Sequence, residues 1–223
     1  MTSEGFLFSI EKLSPKEVLH EKLNTYSHAL GFALSIVGLF YFILFYGQSK
    51  LILPLLVYSS SLMLLFLAST LYHAVKSPVP KQRLRILDHI SIYVLIAGSY
   101  TPVCVGLLLG SKGTLLLYLV WGITLFGIVL KLFFTGKFEI LSLLLYGIMG
   151  WLIVLDLTYL QQQVTGNGLL FLGLGGAFYT LGIFFYAMRR IPYNHFIWHL
   201  FVLGGALCHW VFILNQIAMR NTM

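Results

Sequence analysis

The residues of this sequence that could do chemistry are a few histidines, one aspartate and one serine. His195 and His199 are four positions apart, so on a helix their side chains share one face. Ser69 and His73 have the same spacing, and Asp88 follows a short distance later. Because two imidazoles at this spacing can bind one ion, and catalytic zinc takes three protein ligands and one water, we predict a metal site at His73, His195 and His199.

The remaining two residues fit supporting roles in such a site. Asp88 could orient a ligand or accept a proton from water, and Ser69 could hydrogen-bond the oxyanion that forms during hydrolysis. Imidazole also suits iron, copper and nickel, so the spacing does not choose the metal. The alternative interpretation is that the histidines hydrogen-bond to backbone carbonyls near a membrane interface.

The composition defines the class of protein that must position these residues. The chain has 223 residues, of which 59% are hydrophobic and 9% charged, against about 25% charged in an ordinary soluble domain. The mean hydropathy is +0.90. These values exclude disordered, nucleic-acid-binding and disulfide-scaffold proteins, and indicate a polytopic integral membrane protein.

Apolar runs long enough to cross a bilayer predict an all-α protein with seven transmembrane helices in one bundle. The predicted spans are 25–47, 52–75, 86–109, 113–134, 139–161, 167–188 and 193–217. The transmembrane domain is thus 25–217. Residues 1–24 form an N-terminal segment in which Ser14, Pro15 and Glu17 predict the start of a short interfacial helix.

The basic residues predict the orientation. Lys and Arg are concentrated in the N-terminal segment and in the connections after the second, fourth and sixth spans. By the positive-inside rule, the N-terminus is cytoplasmic and the C-terminus is outside, in the bacterial inner membrane. The net charge of +7 then reflects topology and anionic lipid head groups, and it does not require nucleic acid.

This topology brings the candidate residues to one depth. Counted from the middle of each span, His73, Asp88, His195 and His199 all lie ~9–15 Å toward the cytoplasmic side. Ionisable residues inside a span are costly and therefore point to function. Three separate helices thus converge on one polar layer.

The ordered motifs resemble the progestin and adipoQ receptor family, and most closely its bacterial branch, the hemolysin III proteins. The resemblance covers about residues 20–215 and rests on five motifs in order. They are Glu21-x-x-Asn24-x-x-x-His28, Ser69-x-x-x-His73, Asp88, Gly98-Ser99-Tyr100-Thr101-Pro102 and His195-x-x-x-His199.

The resemblance implies a zinc ion held by His73, His195 and His199, with Asp88 holding the zinc-bound water and Ser69 beside it. It implies no role for the first motif, which consists of Glu21, Asn24 and His28. Because the family is similar to the alkaline ceramidases, it also implies a zinc-dependent amidase or esterase. Its partners would be membrane lipids, with a ceramide-like or other acyl lipid as substrate.

Two alternatives to an enzyme remain open from the sequence. One is a pore-forming, cytolytic membrane protein, as the hemolysin name suggests. The other is a factor of membrane-lipid homeostasis in which zinc only fastens helices together. The sequence does not predict the lipid or the oligomeric state.

Overall fold

The computed structural model describes residues 14–188 and 190–219, and this part of the chain is helical without strands. It contains seven helices that are long and apolar enough to cross a membrane. They are α1 (Pro15–Tyr46), α2 (Ile52–Ala74), α3 (Pro78–Leu107), α4 (Gly113–Phe134), α5 (Glu139–Gln163), α6 (Gly166–Ala187) and α7 (Asn194–Ala218). The seven predicted spans are confirmed, whereas the orientation of the termini stays a prediction.

Two helices begin earlier than the predicted spans. Ser14 accepts a hydrogen bond from the backbone of Glu17, and the Glu17 side chain accepts one from the backbone of Ser14. This capping box opens α1, which then continues without a break, so residues 15–24 are its first turns rather than a separate helix. Similarly, α3 starts at Pro78, where a proline suits the first turn. Residues 1–13 lie outside the described residues.

The fifth span is not one regular helix. It is α-helical to Trp151, passes through a 3-10 stretch at Leu152–Asp156, and becomes α-helical again. Tyr100 of α3 bridges this change, because its hydroxyl donates to the carbonyl of Gly150 (3.1 Å) and accepts from the backbone N–H of Ile153 (2.8 Å). Tyr100, which belongs to the fourth sequence motif, therefore bonds the backbone of α5 where its α-helix is interrupted.

The helices pack mostly against their neighbours in sequence, and α7 closes the bundle by packing on α1 and α6. At Gly98 in α3 a Cβ would collide with the side chain of Ser61 in α2, so these helices approach closely. By contrast, α5 and α6 make few contacts, which leaves space between them. We call the end of the bundle where α1 begins the near end.

Candidate metal centre

Three histidines meet at the near end of the bundle. His73 comes from the last turn of α2, and His195 and His199 come from the first turns of α7. One ring nitrogen of each lies within 4.8 Å of the others, and the Nε2 atoms of His73 and His195 are 3.2 Å apart. Two nitrogens bound tetrahedrally at 2.0–2.1 Å from zinc would be about 3.3 Å apart. The spacing of His73 and His195 therefore suits two ligands of one tetrahedral ion, and the three imidazoles together could hold a metal ion.

The second ring nitrogen of His73, Nδ1, contacts a residue of α1. Its Nδ1 lies 2.7 Å from a carboxylate oxygen of Glu21. The ammonium of Lys81, in the first turns of α3, donates to the second carboxylate oxygen at 3.1 Å. Because a carboxylate only accepts, Nδ1 of His73 donates this hydrogen bond, and in the neutral imidazole Nε2 then has a free lone pair. That lone pair is the one a metal needs.

His199 is held in a similar way. Its Nδ1 lies 3.2 Å from the backbone carbonyl oxygen of Asn24 and 3.1 Å from the hydroxyl of Ser27, both on α1. The carbonyl accepts a hydrogen bond from Nδ1, so in the neutral ring Nε2 again has no proton. The ring of His28 stacks on His199 with 3.6 Å between the centroids. Both nitrogens of His28 are buried and have no hydrogen-bond partner within the described residues.

Asp88 and Ser69 lie in the same cavity as two of the histidines, although they do not belong to the three-ligand set. Ser69 is buried, with 1% of its surface exposed. The neighbouring His89 approaches Asp88 only to 4.0 Å. The carboxylate and hydroxyl therefore face the space in front of the histidines, where a polar part of a ligand could sit.

The cavity has a volume of about 300 Å³ and is walled mainly by α3, α5, α6 and α7. On α7 its lining extends from His195 to His209, a rise of roughly 20 Å along the helix. A second cavity of about 230 Å³ shares Tyr100, Trp151 and His209 with the first. Away from the histidines the walls are mostly apolar, so the space suits a hydrocarbon chain.

A cluster of charges beside this cavity was not predicted as a site. Lys131 is 1% exposed, and its ammonium lies 3.1 Å from the carboxylate of Glu139. The same carboxylate lies 3.3 Å from Arg85 and 3.7 Å from Nε2 of His89. From the sequence we used these basic residues only for topology. The position of Lys131 in an apolar helix is the signal that could have revealed the cluster.

The structure thus brings together the residues predicted from spacing and depth. His73, His195 and His199 form one group, and Asp88 and Ser69 line the adjoining cavity. The motif for which no role was predicted also lies here, because Glu21 contacts His73 and the backbone of Asn24 contacts His199. His28 completes the layer by stacking on His199.

The fold and this site define the class of the protein as a multi-pass, seven-helix membrane protein with three clustered histidines at one end. The sequence profile described as "Haemolysin-III related" matches residues 16–210. The chain therefore belongs to the hemolysin III family and is a protein of the bacterial membrane.

Individual relatives agree with this assignment. The chain is 42% identical to the "Hemolysin-3 homolog" of Bacillus subtilis over 85% of this chain and 90% of the relative. It is 41% identical to "Hemolysin-3" of Bacillus cereus over 85% and 88%. The human "Monocyte to macrophage differentiation factor" is 30% identical over 74% of this chain and 71% of its own length. This last relative fits the resemblance to the progestin and adipoQ receptor family.

Proposed function

We propose that this protein is a zinc-dependent hydrolase of a membrane lipid, cleaving an amide or ester bond. The observation that carries the proposal is the meeting of His73, His195 and His199 beside a largely apolar cavity that also contains Asp88 and Ser69. A metal centre, a carboxylate and a hydroxyl are the groups that hydrolysis of an acyl bond requires.

Each residue has a definite task in this reaction. Zinc bound to the histidines would act as a Lewis acid and lower the pKa of water toward about 7. Asp88 accepts the proton of the attacking water and returns it to the leaving amine or alcohol. Ser69 donates a hydrogen bond to the oxygen that becomes negative as water adds to the carbonyl. The acyl–nitrogen or acyl–oxygen bond then breaks, and a fatty acid is released.

The shape of the cavity supports an acyl lipid as the substrate. Asp88, His195 and His199 lie at the near end, and the cavity, whose walls are mostly apolar, extends roughly 20 Å along α7. A lipid bound with its carbonyl at Asp88 would place its chain between α5 and α6, where the helices make few contacts. The head group would remain at the near end, close to the membrane surface.

The test combines metal analysis with turnover of defined lipids. The purified protein is assayed in micelles with a long-chain ceramide and a matching acyl ester, and its zinc content is measured. We expect Asp88→Ala to keep its zinc and to lose hydrolysis by about 100-fold or more. Ser69→Ala should also lose activity. Ser99→Ala is the matched control, because the Ser99 hydroxyl lines the same cavity but donates to its own helix.

The hydrolase proposal fails if the zinc-loaded wild type cleaves neither the amide nor the ester. It also fails if Asp88→Ala retains wild-type turnover. Loss of activity together with loss of zinc would assign Asp88 to metal retention and would remove it from the proton-transfer role.

A second candidate function is membrane permeabilisation, and the observation that favours it is the similarity to the relative named "Hemolysin-3". This function needs no metal chemistry. Dye release from liposomes by the purified protein, retained after alanine replaces His73, His195 and His199, would support the pore. The absence of release at all protein concentrations would leave the hydrolase as the better account.

A further inference from the structure

We infer that Glu21 is a positioning residue for the metal centre, which fixes the proton of His73 and is itself held in place by Lys81. The inference rests on the metal-binding part of the proposed function and does not depend on hydrolysis. It gives a role to the first motif of the sequence, for which neither the spacing nor the family resemblance supplied one.

The first step is the position of the proton on His73. A neutral imidazole carries one proton, and only the nitrogen without it can bind a metal. Glu21 accepts a hydrogen bond from Nδ1 at 2.7 Å, so the free lone pair is on Nε2, the atom 3.2 Å from Nε2 of His195. Without an acceptor at Nδ1, a fraction of the protein molecules would have the proton of His73 on Nε2. In those molecules Nε2 cannot bind the ion.

The second step is the rigidity of the carboxylate. Lys81 donates to Glu21 at 3.1 Å and also to the backbone carbonyls of Tyr72 at 3.1 Å and Val75 at 3.4 Å. These carbonyls belong to the end of α2, on either side of His73. One ammonium group therefore joins α1 to the end of α2, and the carboxylate faces the imidazole in a fixed position.

The third step separates this role from a purely structural one. The Glu21 side chain is 31% exposed, whereas His73 is 5% exposed. Water can therefore solvate whatever replaces the carboxylate, and the fold should tolerate the change. Replacing Glu21 should instead weaken metal binding by His73, since a carboxylate bonded to a metal-ligating histidine both orients the ring and raises its basicity.

The contacts of His199 show that α1 acts in this way at two ligands. The backbone carbonyl of Asn24 and the hydroxyl of Ser27 contact Nδ1 of His199. The carboxylate of Glu21 contacts Nδ1 of His73 in the same way. Helix α1 gives no ligand to the three-histidine set. It instead sets the proton positions of two of the three ligands.

The experiment measures metal affinity directly, with full-length protein in detergent and a chromophoric chelator as competitor for Zn²⁺. We expect Glu21→Ala to bind zinc about 10- to 100-fold more weakly than the wild type. Glu21→Gln should lose less, because its amide oxygen still accepts from Nδ1. Lys81→Met should show a smaller loss still, since Glu21 remains but is less firmly held.

Glu17→Ala is the matched control. Glu17 is an exposed carboxylate one turn earlier on α1, and its bonds are to Ser14 alone among the described residues. The Glu17→Ala variant frays the start of the helix without removing a hydrogen bond to His73, His195 or His199, so its zinc affinity should equal that of the wild type. Cobalt-loaded protein supplies a second readout, because the visible absorption of Co²⁺ changes when the ligand field of His73 changes.

The inference is overturned if Glu21→Ala and Glu21→Gln bind zinc as tightly as the wild type and give the same cobalt spectrum. That result would keep the proposed metal centre and reject only the role of Glu21. If the wild type itself binds no zinc while folded, the metal centre of the proposed function falls as well. Equal weakening in Glu17→Ala would show that fraying of α1 is the cause, and this too would overturn the inference.

Discussion

The ammonium of Lys131, which is 1% exposed, lies 3.1 Å from the half-buried carboxylate of Glu139. Lys131 is in the last turns of α4 and Glu139 begins α5, so this ion pair joins two consecutive helices. Arg85 of α3 binds the other oxygen of the same carboxylate at 3.3 Å. The near ends of three helices are thus fixed by one acidic side chain.

Removing one member of this pair should be costly. We expect Glu139→Gln to lower the free energy of unfolding by on the order of 3 kcal/mol, because Lys131 would keep a buried charge with no counter-charge. The double variant Lys131→Met/Glu139→Gln should recover much of the loss, since the buried lysine charge is then gone as well. Thermal melting in detergent compares the three proteins. Equal melting of Glu139→Gln and the wild type would contradict this account.

The close approach of α2 and α3 gives a second prediction. Gly98→Ala places a methyl group against the side chain of Ser61, and we expect a loss of about 1–3 kcal/mol from overpacking. Gly122→Ala is the control, because a Cβ at Gly122 has nothing within 4 Å. If both alanine variants melt at the same temperature, α2 and α3 do not depend on this contact.

Removal of metal should lower stability in a way that depends on the histidines. A ligand that binds only the folded state, present at about 100 times its dissociation constant, adds about 2.7 kcal/mol. We therefore expect a chelator to lower the melting temperature of the wild type by several degrees. His195→Ala/His199→Ala should melt at the same temperature with and without chelator. A chelator effect that persists in this variant would place the stabilising ion elsewhere.

The cavity can be filled without touching the metal centre. Gly176 of α6 lines both cavities, and a Cβ there meets nothing within 4 Å. Gly176→Leu should therefore fold, keep its zinc and lose binding of a long-chain fatty acid, measured by co-purification with a labelled acid. Gly122→Leu makes the same change outside the cavity lining, and its lipid binding should be unchanged. Normal fatty-acid binding by Gly176→Leu would mean that the acyl chain lies outside this cavity.

The sequence was sufficient to predict the seven spans, because each is an apolar run bounded by charges, glycines or prolines. It did not predict where α1 and α3 begin. Hydropathy locates the part of a helix that crosses lipid, whereas a helix continues until its backbone meets a terminating signal. The 3-10 stretch at Leu152–Asp156 was also missed, since its backbone is bonded by a side chain of another helix, the hydroxyl of Tyr100.

The three histidines were found from spacing and depth, and this worked because buried imidazoles are rare in apolar helices. The contacts of Glu21 and Ser27 were not found. They depend on how α1 is rotated against α2 and α7, and helices that are apolar on most faces contain little sequence information about rotation. The buried ion pair of Lys131 was not predicted for a related reason: a lysine at the end of a span can reach water or turn inward, and only packing decides between them.

The separation of His73 from His195 along the chain has a consequence for how the protein is made. The ribosome delivers α2 early and α7 last, and the two histidines whose Nε2 atoms are 3.2 Å apart are separated by 122 positions. A truncated or partly inserted chain therefore has one imidazole of the set and cannot hold the ion. Under the proposed function, only the finished molecule would therefore load metal, and the zinc content of a preparation would also report what fraction of its chains completed membrane insertion.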